Sequence, residues 1–256
     1  MTAPFRDGSY RRRIRLVSPE PGVVEGGLED DFHHFEVTLH HDGERVLDVD
    51  ASSVRWPWTT CPAAAGPLRA LAGMALSERC LAVGEHTDPK ANCTHMFDLA
   101  GLAVAHAARG GERRQYDAEV PFGAVAKAGS VVRLWRDGEL ALEWTFEGRQ
   151  LGAGTGTVRP IVDPPSFADA PWKGGFFQWA DTTLPVEEAE AAIVLRRACE
   201  IGLGRGMDLD GVDRADELAD LMRGVCYTMQ PAVIGTSLRN KGTIRDFSSS
   251  PDALLD

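Results

Sequence analysis

The chain has 256 residues, of which 43% are hydrophobic and 25% charged, and its formal net charge is -11. This is enough apolar chain for a full core, which excludes wholesale disorder. The negative balance argues against nucleic acid or an anionic membrane surface as the main partner.

In chain order, "SYRRRIRL" is followed by "VSPEPGVVEGG", which has no apolar core or small-residue cleavage site, so it reads as a basic strand start rather than an export signal. "HFEVTLHHDGERVLDVDASSVRW" holds two β-rich runs around Asp42-Gly43, a hairpin signal. "RWPWTTCPAAAG" then places Arg55, Trp56, Trp58 and Cys61 before a first helix that has Pro62 near its start. The turn-rich "GEHTDPKANC" leads into "THMFDLAGLAVAHAARGG", a helix with Asn92 as its cap and Gly110-Gly111 as its stop. Its most lipid-like stretch, "LAGLAVAHAA" from Leu99, is too short to span a bilayer and is preceded by Asp98.

A second strand block, "RRQYDAEVP" and "VVRLWRDGELALEWTFEGRQL", turns at Asp137-Gly138. Residues 152–185 form a long Gly/Pro-rich loop carrying Trp172, Phe176, Phe177 and Trp179. "VEEAEAAIVLRRACEIGL" is a helix, acidic at its start and basic later. "VDRADELADLMRGVC" reads as a second helix, and residues 240–256 as a tail. The order strands, helices, strands, helices predicts an α+β fold. It would be a single domain over residues 1–256, with a mainly antiparallel sheet in two hairpin-rich blocks and two packed helical segments.

Five cysteines, an odd number without CxxC spacing, fit a reducing cytoplasm. "GAGTGT" at 152–157 lacks the following helix that a dinucleotide fingerprint needs, and "DLDGVDRADE" misses the EF-hand positions.

Two constellations could carry chemistry. Of the four histidines in "HHFEVTLHH", His34 and His40 share a strand face but lie about 20 Å apart at about 3.4 Å per residue. The run therefore cannot hold one ion by itself, although one member could join ligands from elsewhere. His33 and His34 follow the acidic pair Asp30-Asp31, where a carboxylate can orient an imidazole. In "ANCTHMF", Cys93 and His95 fall in the first turn of a helix, and with Cys61 they could form a Cys2His metal site or a thiol/base pair. The bland alternative is that both cysteines only pack.

Taken together, "DDFHHFEVTLHHDG", "RWPWTTCPAAAGPLRALAGM", "NCTHMFDLAGLAVAHA" and "GVCYTMQP…LRNKGTIRDFS" resemble a bacterial domain-of-unknown-function family, the one numbered twenty-eight eighty-nine. The resemblance runs from about Arg12 to Phe247, and it carries a loose association with breakdown of aromatic, lignin-type compounds. It assigns no catalytic residue.

The leading expectation is a cofactor-independent lyase that removes carbon dioxide or formaldehyde from a small phenolic aromatic. His34 or His33 would be the base, Tyr116 or Asp31 a second proton carrier, Arg55 an anion clamp, and Trp56, Trp58 and Trp179 the substrate walls. A metal- or thiol-dependent enzyme built on Cys61, Cys93 and His95 is the alternative; a non-catalytic binding or assembly protein is the third. The expected partner is a small aromatic, without nucleic acid or membrane; self-association is left open.

Overall fold

The computed structural model describes residues 7–148 and 160–256. The fold is α+β and, among the described residues, has an antiparallel sheet of eight strands in the order β4-β3-β2-β1-β5-β6-β7-β8. The strands are β1 Ser9–Val17, β2 Val23–Asp30, β3 His34–His41, β4 Val46–Arg55, β5 Arg113–Pro121, β6 Val131–Arg136, β7 Glu139–Phe146 and β8 Ile161–Asp163. The helices are α1 Thr94–Arg109, α2 Phe176–Thr183, α3 Val186–Gly202 and the single turn α4 Ala219–Met222. The chain divides into two compact units. The first holds residues 1–12, 115–208 and 246–253, and the second holds 13–114, 209–245 and 254–256.

In the second unit, β2, β3 and β4 form a meander. The β3–β4 turn closes where Asp42-Gly43 predicted it. Asp42 Oδ1 accepts the amides of Glu44 and Arg45 at 2.9 and 2.7 Å, and these bonds hold its carboxyl below the usual range. Alternation along β3 buries Phe35, Val37 and Leu39 on one face. Helix α1 packs on β2 and β3 and buries Met96, Leu99, Ala103 and Val104. Gly110, left-handed at φ +65°, ends α1 as expected. Cys93, not Asn92, is the N-cap; the Asn92 amide instead donates to Thr87 Oγ1 and the Asp88 carbonyl. The segment after Pro62 is a 3-10 helix, Cys61–Leu71, with Pro67 inside it, since a second proline withholds an amide that an α-helix would use.

In the first unit, β6 and β7 join through Asp137-Gly138, both at positive φ (55° and 87°), the twist that a two-residue hairpin requires. Tyr116 donates to the buried Glu190 of α3. Trp144, Phe167, Trp172, Phe176 and Trp179 pack in edge-to-face and tilted pairs with centroids 5.2–6.3 Å apart. In the second unit, the predicted helix over "VDRADELADLMRGVC" is only a 3-10 turn, Ala215–Leu218, followed by α4. Gly224 at φ +77° breaks it soon after. The "GAGTGT" stretch and the start of the expected 152–185 loop lie outside the described residues. No helix among the described residues is long and apolar enough to cross a membrane.

Candidate functional site

The junction of β2 and β3 puts adjacent side chains on opposite faces of the sheet. Asp31, Phe32 and His33 make the connection, closed by the Asp30 amide donating to the His33 carbonyl at 2.9 Å. His33 turns toward α1, stacking 5.8 Å from Phe35 and 3.8 Å from the ring of His95. His34, the next residue, enters the ladder on the other side, opposite Glu29 of β2 and Arg55 of β4. A bulge in β4 brings this about. Phe35 pairs with Ser53, so regular pairing would set Val54 against His34; the extra residue puts Arg55 there instead.

On the outer face, Glu29 Oε1 lies 3.0 Å from Arg55 Nη2 and 3.6 Å from His34 Nδ1. His34 also lines a groove of about 440 Å³ along β1, β2 and β3. Arg15, Glu25, Glu36, Thr38 and Leu255 are among its other walls. Arg15 Nη1 donates to the Leu255 carbonyl at 3.1 Å, and the Leu255 amide donates to Glu29 Oε2 at 2.8 Å. Gly27 makes this close approach workable, because a Cβ there would sit 3.2 Å from the Leu255 side chain. An imidazole with a carboxylate behind it, a guanidinium and a cavity of ligand size are the parts that proton transfer on an anionic organic molecule needs.

On the inner face, Asp30 is completely buried. Its Oδ1 accepts the amides of Phe32 and His33, at 2.8 and 2.9 Å, and stands 2.9 Å from His33 Nδ1. Its Oδ2 stands 3.9 Å from His95 Nε2. The metal-capable atoms of Asp30, His33 and His95 all lie within 4.8 Å of one another. Cys93 Sγ is 3.9 Å from the other His95 nitrogen, Nδ1.

Arg55 does not line the groove: its Nη1 and Nη2 donate to the carbonyls of Asp31, Thr243, Asp30 and His33 as well as to Glu29. It braces the turn that carries both histidines. Asp31 is buried, and its carbonyl accepts from Arg55 and from the Arg245 amide. Trp58 is buried beneath the Arg239 guanidinium, 5.6 Å from its ring centre, and Trp56 is half-buried with its carbonyl bonded to Asn240. Neither tryptophan lines the groove. Tyr116 and Trp179 belong to the other unit, the first held by Glu190 and the second within the aromatic cluster. His41 Nδ1 accepts the Gly43 amide in the hairpin. Sequence reasoning did not single out Arg15, Glu29 or Asp30 as site residues, although the Asp30-Asp31 pair ahead of His33 was a visible signal for the last.

All five cysteines are free. Burial pushes the Cys61 thiol up from an ordinary 9.0 to about 12, a rise that the Thr228 hydroxyl only partly offsets, and it raises Cys93 further. Cys199, in the other unit, also rises to about 12 through burial. Burial thus disfavours the thiolate form of all three sulfurs. At pH 8, alkylation of Cys61 and Cys199 by iodoacetamide, followed by peptide mass spectrometry, is expected to be about a thousandfold slower in the native protein than in urea. Because the folded values lie above the unfolded ones, the stability these thiols contribute is intact below pH 9 and is lost as pH climbs from about 9 to about 12. Rapid native labelling of either cysteine at pH 8 would contradict their burial.

No curated protein and no solved structure matches the chain. Residues 22–109, the stretch that supplies Asp30, His33, His34, Arg55, Cys93 and His95, match the family model described as Protein of unknown function (DUF2889).

Proposed function

We propose that the protein is a lyase that releases a one-carbon unit, carbon dioxide or formaldehyde, from a small phenolic aromatic seated in the outer-face groove. One observation carries this reading: His34 is a wall of the roughly 440 Å³ groove and also has a carboxylate, Glu29, 3.6 Å from Nδ1. That carboxylate stands behind the imidazole and helps to orient it toward the groove for proton transfer. For a phenolic acid, His34 takes the phenol proton, and Arg15, a wall of the groove, faces the resulting anion. The carbon–carboxylate bond then breaks to give carbon dioxide, its electrons remain on the ring carbon, and the proton on His34 is returned to that carbon. The groove volume lies within the range of small-ligand sites. The link to aromatic breakdown rests on the family resemblance, and five free cysteines support a cytoplasmic setting.

The test uses chelator-treated protein incubated with a panel of phenolic acids and phenolic alcohols, with carbon dioxide and formaldehyde measured directly. Release from at least one member is expected, with kcat lowered about a hundredfold or more in His34→Ala while KM changes little. A panel without any one-carbon release, or an unchanged kcat in His34→Ala, would sink the reading.

A further inference from the structure

We infer that Asp30, His33 and His95, on the inner face, form a binding site for one divalent transition-metal ion, separate from the outer-face groove. The decisive distance is between Asp30 Oδ2 and His95 Nε2, 3.9 Å. This exceeds the 2.7–3.2 Å typical of a direct N–H···O bond. It suits two donors sharing an ion, since ligands about 2.0–2.2 Å from one centre stand up to about 4.2 Å apart. His33 Nδ1 is hydrogen-bonded to the other Asp30 oxygen at 2.9 Å, a contact that an ion held by the three side chains would replace. Three ligand atoms mutually within 4.8 Å thus converge from the end of β2, the β2–β3 turn and the first turn of α1.

The surroundings orient these donors as outer-shell groups do around bound metals. The amides of Phe32 and His33 fix the Asp30 carboxylate. Cys93 Sγ lies on the Nδ1 side of His95, which leaves Nε2 facing Asp30. Arg55 holds the backbone carbonyls of Asp30 and His33 from the other side of the turn. Two imidazoles and one carboxylate suit zinc, iron, cobalt or nickel; magnesium and calcium prefer an all-oxygen set. Three protein ligands leave at least one coordination position open. Cys61 and Cys93, the sulfur donors suggested by sequence, fall outside this ligand set.

The test takes the full chain, stripped with chelator and dialysed, and titrates it with Co2+ alone, followed by visible absorption and equilibrium dialysis. One equivalent is expected to bind, to be displaced by Zn2+, and to raise the thermal midpoint. Asp30→Asn and His95→Gln should each weaken Co2+ binding by about a hundredfold or more. In the wild-type protein, Co2+ should also protect His33 and His95 from diethyl pyrocarbonate while leaving His40 and His41 reactive, which keeps the test valid if a variant fails to fold. Absence of saturable binding, or protection of other histidines in place of these two, overturns the site. Co2+ binding reads this site alone and one-carbon release by the chelated protein reads the groove alone, so either can fail without the other.

Discussion

Arg55→Ala is expected to lower the stability of the protein by about 3–5 kcal/mol, the range seen when one partner of a buried ion pair is removed. The guanidinium is the single donor group shared by the Glu29 carboxylate and the carbonyls of Asp30, Asp31, His33 and Thr243, at 2.6–3.2 Å. Only 11% of its side chain, and 10% of that of Glu29, is exposed, so water cannot replace these bonds freely. At about 2–4 °C per kcal/mol for a chain of this size, the thermal midpoint should fall by about ten degrees. Arg55→Lys should recover only part of the loss, because an ammonium lacks the planar fork that reaches five acceptors. Thermal and urea unfolding of both variants checks this. An unchanged midpoint together with a raised KM would return Arg55 to the anion-clamp role.

Gly101→Ala should cost at least about 2 kcal/mol despite alanine being the better helix former by about 1 kcal/mol. Gly101 faces the 3-10 segment Cys80–Glu85, and a Cβ there would lie 2.2 Å from the Cys80 carbonyl oxygen and 3.2 Å from Val83 Cγ2. The nearest obstacle is backbone, so the helix or the segment has to move. Gly66→Ala is the control: it has open space and no positive φ, and should stay within about 0.5 kcal/mol of wild type. Equal urea midpoints for the two variants would show that α1 does not rest on Cys80 as described.

The fold was legible where local chemistry decides it. The two Asp-Gly turns, the glycine stop of α1 and the acidic start of α3 each depend on a few neighbouring residues. The short helices were harder, because Pro67 and Gly224 shift the balance between α and 3-10 turns within single steps. The site was legible only in fragments. His34 and Arg55 were paired through a hairpin register, and their pairing in the structure depends on a bulge at Val54 that no residue type announces. His33 and His95 were assigned to different constellations because sixty-odd residues separate them, and only packing of α1 on the sheet stacks their rings. Trp172 and Trp179 lie in a stretch that reads as loop, and both pack among aromatic neighbours, which residue type alone does not distinguish from lining a cleft.

The bond from the Asp30 amide to the His33 carbonyl fixes the length of the β2–β3 connection at three residues. Since side chains alternate along a strand, deleting or inserting one residue there would exchange the positions of the two imidazoles: the one beside Glu29 would swing beneath α1, and its neighbour would swing out. Natural variation in this loop should therefore take the form of substitutions at constant length, while the hairpin at Asp42-Gly43, which positions neither His33 nor His34, tolerates changes of length better.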